Sequence, residues 1–342
     1  MHAGPSLIYT YPKNHKKDIE VFMDKKFGII IATCKTDKHF AQACFLSIRR
    51  SLGSSMPVCF IVDGEAEILG HILHDTNVSV IDRNTVKNPW LRQNCFGWGI
   101  TKMIAFYESP FEYFLYLDAD TLVIGDILKF FDNTFDMITD YKRRYTDEEI
   151  NFWFFNTREV EKIWPDFSWQ KFRDRYFCTG TFFSRRHIFN LDELKEKFTY
   201  SSTNSALFQF GGEMGFLNLM IFHSVQKGYL RVKSVDYQVI PVDSSEEFLN
   251  KYISPQAPRP KDFSAVIHFC GKKPHIFTKS KKVALMNFYR FHYLTEIANM
   301  KKIFAILLMV TQDIRYVFFS WLKRGKRKIL KKIFTIFPSK NS

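Results

Sequence analysis

Several residues in this chain are of types, and at spacings, that can do chemistry. The stretch Phe114-Leu-Tyr-Leu-Asp118-Ala119-Asp120-Thr-Leu-Val-Ile124 places two carboxylates at the end of an apolar run. At i and i+2 on extended backbone the side chains of Asp118 and Asp120 project to the same side, about 7 Å apart. Like charges leaving a low-dielectric wall repel each other and are poorly solvated, so a divalent cation is their natural partner. A solvated turn or a helix cap is the bland alternative. Far downstream, His268-Phe-Cys-Gly271-Lys-Lys273-Pro274-His275 follows another apolar run. Glycine there lets backbone N–H groups approach a diphosphate and lysine supplies charge, whereas a lone histidine is otherwise structural. Phe210-Gly-Gly-Glu213-Met-Gly-Phe-Leu-Asn218 opens a helix, with Glu213 either complementing the helix dipole or facing a site. Lys102 lies near the start of the helical stretch that precedes the Asp pair, and is either solvated or aimed at phosphate.

The elements that must position these residues are legible in the apolar pattern. Residues 113–117 read as a buried central strand of an α/β sheet, covered by helices on both faces. Residues 27–33, 58–62 and 78–81 are further strands, separated by helical spacing over 38–52 and 66–73. This β-α-β-α-β alternation predicts a parallel sheet with ligands gathered at the carboxyl ends of its strands. A helix over 98–108 leads into the central strand. Later strands are expected at 136–139, 178–183, 235–242 and 265–269, with Gly180 marking a close approach by another backbone or a ligand. The aromatic-dense segment 152–177, with Trp153, Trp164 and Trp169, suits either core or a platform for sugar rings. The fold class is therefore α/β, a mostly parallel Rossmann-like sheet. By the family resemblance given below, it occupies residues 26–275, with a nucleotide-binding half at 26–120 and an acceptor half at 121–275. A polar extension (1–25) precedes it and a helical basic tail (276–342) follows.

Composition narrows the partners. Aromatic residues make up 17% of the 342 positions, and 37 are Phe, which excludes a largely disordered chain. The net charge of +14 is uneven: beyond residue 299 eleven Lys or Arg face the single Asp313, leaving +4 for the rest. Six scattered cysteines read as reduced residues of an intracellular protein. The N-terminus lacks the pattern of a secretory signal, and no apolar run reaches the length of a transmembrane helix. In the tail, apolar 303–310 is followed by aromatic and aliphatic residues interleaved with Lys323, Arg324, Lys326, Arg327, Lys328, Lys331 and Lys332. A solvated basic helix or a nucleic-acid contact is possible for such a segment. The apolar bulk favours one lying on an anionic membrane, which makes the protein peripheral on the cytoplasmic face, with no nucleic acid expected.

Taken together, these motifs resemble the glycogenin-like retaining glycosyltransferases, glycosyltransferase family 8, of GT-A fold, over about residues 26–275. The resemblance implies that Asp118 and Asp120, flanking Ala119, bind a divalent metal, with Asp118 also touching the donor's ribose. It implies that His268 is the third ligand and that Gly271 and Lys273 hold the diphosphate. Ala32 and Thr33 match the start of the uridine-binding segment, with Cys34 where many members carry an acidic or amide residue. Thr101-Lys102 matches a threonine-lysine pair that leans on donor sugar and phosphate. The Gly211–Asn218 stretch is similar to a Gly-Gly-Asp-Gln-Gly-x-Leu-Asn motif beside the transferred sugar. Glu213, Met214 and Cys178 depart from the family's Asp, Gln and Asn, and His275 stands where Trp is usual. The implied activity is Mn²⁺- or Mg²⁺-dependent transfer of a hexose, with retention, from a UDP-sugar to a glycan or glycolipid acceptor such as lipopolysaccharide. Glu213 and Lys102 are its candidate catalytic residues, and mixed oxygen and imidazole ligation suits Mn²⁺ better than Mg²⁺. Two other classes compete: a phosphotransferase of the haloacid dehalogenase type, using Asp118 as nucleophile, and a non-enzymatic basic protein that binds membrane or nucleic acid.

Overall fold

In the computed structural model, residues 26–97, 100–141, 143–208, 212–271 and 281–318 are described. The polar extension, Lys273, Pro274 and His275, and the tail beyond 318 lie outside them. The β-branched and aromatic runs form the strands expected of them. β1 (Phe27–Cys34), β2 (Val58–Asp63), β3 (Val78–Asp82) and β4 (Tyr113–Asp118) are parallel neighbours in the order β3-β2-β1-β4. β5 (Thr121–Ile124), β6 (Met137–Asp140), β7 (Thr181–Arg185), β8 (Val232–Val235), β9 (Gln238–Val239) and β10 (Ala265–His268) follow along the chain. The main sheet continues β4-β7-β6-β8, with β7 antiparallel to both of its neighbours. A smaller sheet has the order β5-β10-β9.

Side chains alternate between the two faces of the main sheet, as the strand period requires. On β1, Phe27, Ile29 and Ile31 enter one core and Ile30 the other; on β4, Leu115 and Leu117 oppose Phe114 and Tyr116. The first core is closed by α1 (Lys38–Leu52), whose last turn ends at Gly53 with φ 92°, a left-handed stop that glycine tolerates. The second is closed by α2 (Met103–Glu108) and α3 (Glu213–Gln226), together with Phe154, Phe155, Trp164, Phe167, Trp169 and Tyr176. The aromatic segment is thus mainly core, while Phe152 and Trp153 stay exposed.

The expected strand over 235–242 is two short strands in different sheets. The Asp140 carboxylate accepts the backbone N–H of Tyr237 (3.3 Å) and Gln238 (3.0 Å), which carries the chain from β8 across to β9. The expected strand at 178–183 begins only at Thr181, because residues 179–180 form a turn. Residues 66–73 adopt a tighter 3₁₀ helix interrupted at Gly70.

At the carboxyl end of the described chain, α4 (Lys281–His292) packs on α1, and residues 302–318 form α5. Ala305, Met309 and Asp313 on α5 are buried at helical spacing. The Arg290 guanidinium donates two hydrogen bonds to Asp313, at 2.8 and 3.3 Å, and lies over the Phe40 ring. Both charges are almost fully enclosed, with side chains 1% exposed. Removing one partner of such a pair leaves a buried uncompensated charge. Asp313→Ala is therefore expected to lower unfolding free energy by about 3–5 kcal/mol in urea denaturation; a change under about 1 kcal/mol would show that α5 is not anchored through this pair.

Candidate active site

The carboxyl end of β4 is where the two sheets meet. Asp118 closes the strand, residues 119–120 turn, and β5 leaves in the second sheet. The turn is held by Thr121, whose hydroxyl donates to the Asp118 carbonyl (2.8 Å), and by the Phe269 N–H, which donates to the Asp120 carbonyl (2.9 Å). β10 pairs antiparallel with β5 so that His268 stands opposite Thr121. That register delivers the imidazole to the carboxylates: Nε2 is 3.6 Å from Asp120 Oδ1 and 3.9 Å from Asp118 Oδ2. One ligand atom from each of the three lies within 4.8 Å of the others, closer than the spacing expected on extended backbone, because the turn folds Asp120 back.

The imidazole is held on two further sides. A Cβ built on Gly180 would sit 2.1 Å from His268 Cε1, so the ring itself is the close approach expected at this glycine. On the other side Gln238 Oε1 lies 2.8 Å from His268 Nδ1. The Gln238 amide nitrogen donates to Asp140 Oδ2 (3.2 Å) and to the Cys178 carbonyl (3.4 Å), so the amide oxygen must face the ring. Nδ1 therefore carries the proton and donates it, leaving Nε2 free to face the carboxylates. Burial alone would lower the basicity of this ring. The neighbouring Cys178 sulfur and Asp120 carboxylate outweigh it and raise the pKa to about 10. Such a ring takes up a cation or a proton at Nε2.

Lys102 and Glu213 also reach this point. The buried Lys102 ammonium donates to the Thr179 carbonyl (2.9 Å) and pairs with Glu213 Oε1 (2.6 Å) and Asp118 Oδ1 (3.4 Å). Its charge is engaged by two carboxylates rather than projecting freely toward a phosphate. Burial opposes the charged form, but Asp118 and Glu213 reverse this and hold the ammonium well above its ordinary pKa. Burial pushes the Glu213 carboxyl up, and Lys102 only partly offsets it. Glu213 makes no capping hydrogen bond; Gly212, at φ 76°, precedes it as N-cap, and its carboxylate instead accepts from the Thr179 hydroxyl at 2.8 Å. The Tyr116 hydroxyl donates to Asp118 Oδ1 at 2.8 Å.

A cavity of about 250 Å³ opens above Asp118, Ala119 and Asp120, with Ala32, Thr33 and Cys34 of β1 in its wall. Asp37 shapes that wall by accepting from the Thr33 hydroxyl (2.9 Å) and the Cys34 N–H (2.8 Å). Asp63, at the end of β2, lines the same cavity. Gly271 follows β10 with φ 80°, and Lys273 lies outside the described residues. The sequence reading did not single out Asp37, Asp63, Tyr116, Thr179, Gln238 or Asp140. Asp37 and Asp63 carried a signal, as acids at the carboxyl ends of predicted strands; the other four are set by long-range pairing.

This arrangement is that of a glycosyltransferase of GT-A fold. The backbone is similar to the galactosyltransferase LgtC, solved with donor and acceptor sugar analogues, with a TM-score of 0.51 at 15% identity over 80% of this chain and 95% of that one. Weaker likenesses are to the bifunctional glycosyltransferase WbbM (TM-score 0.48, 14% identity, 83% of this chain and 51% of that one) and to GlyE of Streptococcus pneumoniae TIGR4 (0.48, 12%, 80% and 62%). No curated protein matches the sequence. A family model described as "Mannosyltransferase putative" matches residues 26–208, more than half of the chain, and the protein belongs to that glycosyltransferase family. Family and fold displace the phosphotransferase and non-enzymatic alternatives.

Gly180→Ala tests the packing that aims His268. With a methyl group 2.1 Å from the ring, the imidazole must move. The expected cost is about 1–3 kcal/mol in unfolding free energy, with displaced His268 ring signals in NMR. Unchanged stability and unchanged signals would show that the ring has slack.

Proposed function

We propose that the protein transfers a hexose, with retention, from a UDP-sugar to a glycan or glycolipid acceptor in the synthesis of a surface polysaccharide or lipopolysaccharide. The reading is carried by the convergence of Asp118, Asp120 and His268, the two carboxylates lining a cavity at the ends of β1, β2 and β4. The description of the family makes mannose the first hexose to test. Two carboxylate oxygens and one imidazole nitrogen of fixed tautomer suit Mn²⁺, or Mg²⁺ less well. Bound there, the cation supplies Lewis-acid charge to the diphosphate leaving group.

The chain's own residues do the rest. Asp118, Asp120 and His268 hold the cation, and Gln238 keeps the His268 proton on Nδ1. Lys102 offsets the charge of Asp118 and Glu213, so the site is not left with uncompensated carboxylates. Positive φ at Gly271 suits backbone approach to phosphate, and Lys273 adds charge from the adjoining stretch. Ala32, Thr33 and Cys34, braced by Asp37, face the nucleoside. Glu213, pinned by Lys102 and Thr179, steadies positive charge at the anomeric carbon. The acceptor hydroxyl attacks the face the diphosphate leaves, and the departing phosphate oxygen takes its proton.

The exposed apolar face of α5 supports a membrane-bound acceptor. Ile303, Phe304, Leu307, Ile314, Val317 and Phe318 are exposed, and the basic tail continues from them. Among the described residues no helix is long and apolar enough to cross a membrane. We propose that this face lies on the cytoplasmic surface of an anionic bilayer.

Two measurements test these readings. In a panel of nucleoside diphosphate hexoses, Mn²⁺-dependent donor hydrolysis should single out one donor. Asp120→Asn should abolish it in a folded protein, and Gln238→Leu should weaken apparent Mn²⁺ affinity about 10–100-fold. Normal turnover by Asp120→Asn sinks the metal role. Shortening the chain at 318 should lower binding to vesicles containing anionic lipid by tenfold or more, given about 1 kcal/mol per basic residue near such a surface. Equal binding by the shortened chain would end the membrane reading of the tail.

A further inference from the structure

The face of His268 turned away from the carboxylates carries a second constellation. Cys178, His268 and Cys270 each offer a ligand atom, and the three atoms lie within 4.8 Å of one another. Cys178 Sγ is 3.5 Å from His268 Nδ1. Neither cysteine is in a disulfide, and both residues are half-buried. Two sulfurs and an imidazole nitrogen are a soft donor set, unlike the hard carboxylates on the other side of the ring.

We propose that Cys178, Cys270 and His268 Nδ1 form a site for a thiophilic divalent cation such as Zn²⁺, and that its occupation shuts down the carboxylate site. Binding releases the two thiol protons to solvent, together with the Nδ1 proton where the ring starts as the imidazolium, and leaves the fourth position to water. The antagonism follows from the single proton of a neutral imidazole. A cation at Nε2, beside Asp118 and Asp120, requires that proton on Nδ1, where Gln238 Oε1 receives it at 2.8 Å. A cation at Nδ1 requires the proton on Nε2, where it points at Asp120 Oδ1, 3.6 Å away. The two occupied states therefore need opposite tautomers of one ring, and Gln238 loses its hydrogen bond when the soft site fills. The soft site stands on its own geometry; only the antagonism rests on the proposed function.

Cobalt(II) is the probe, added to the reduced full-length protein. A thiolate-to-cobalt charge-transfer band at one equivalent is expected, displaced by Zn²⁺. Cys178→Ser and Cys270→Ser should each weaken Co²⁺ binding at least tenfold and lose the band, and Cys34→Ser should keep it. Zn²⁺ should also protect Cys178 and Cys270 of the unmodified protein from alkylation, read by mass spectrometry, so that no variant need be relied on. Added Mn²⁺ should raise the apparent Co²⁺ dissociation constant, and Asp120→Asn should remove that effect while leaving the band. Absence of the band and of alkylation protection overturns the site. A band that is indifferent to Mn²⁺ overturns the antagonism. A donor hydrolysis that needs no metal, alongside an intact cysteine-dependent band, would refute the metal role in transfer but not the soft site.

Discussion

Asp118, Asp120 and Glu213 crowd negative charge into one corner of a largely dry floor, and the surrounding structure answers that crowding. Two carboxylates with oxygens within 4.8 Å of each other repel by at least about 3 kcal/mol at the effective dielectric of a protein surface. Lys102 is the fixed part of the compensation. It is enclosed among the groups it neutralises, which accounts for its depth in a position where a lysine would otherwise be costly. His268 is the adjustable part, because its Nε2 can share a proton or a cation with Asp118 and Asp120. Everything that fixes the direction of that ring therefore acts on the site.

Three separate backbone decisions converge on the imidazole. The turn at 119–120 moves the chain out of the main sheet, so that β5 can pair with β10 and set His268 opposite Thr121. Gly180 leaves room for the ring, and Asp140 steers the chain from β8 to β9 so that Gln238 arrives at Nδ1. Asp140 also accepts from the Gln238 amide, so one buried carboxylate orients both the backbone and the side chain of the residue that sets the tautomer. Supporting groups of this kind fix ligand geometry as much as the ligands themselves do.

The sequence revealed those features that depend on local pattern. β1, β2 and β4 are apolar runs ended by acids or turn residues, β3 is a shorter run broken by Ser79, and the pattern locates each to within one or two residues. The Asp pair and His268 were visible as chemistry at strand ends, and their order matched a known family. Lost were the features that depend on pairing. Residues 121–124 look like a continuation of the run before them, and only their partnership with β10 makes them a strand of another sheet. The run over 235–242 looks like one strand because the break comes from Asp140, nearly a hundred residues earlier in the chain. Lys102 stands out in the sequence, but its partners Thr179 and Glu213 lie on other elements, so its neutralisation is not legible there.

Asp313 shows how one charge changes the meaning of a segment. In the sequence it merely interrupts an apolar stretch, as a polar residue on a membrane-lying helix would. In the structure it faces inward, clasped by Arg290, and with Ala305 and Met309 defines the side of α5 that belongs to the protein. A helix anchored on one side in this way should carry polar residues on the other if that side met only water. Ile303, Phe304, Leu307, Ile314 and Phe318 occupy it instead. A contiguous exposed apolar face of this kind marks an interaction surface. On the membrane reading proposed above, the seven basic residues at 323–332 would supply the charge that favours an anionic bilayer over a neutral apolar partner. The buried pair thus does two jobs: it fixes α5 to the catalytic body, and by fixing it determines which side chains are left facing outward.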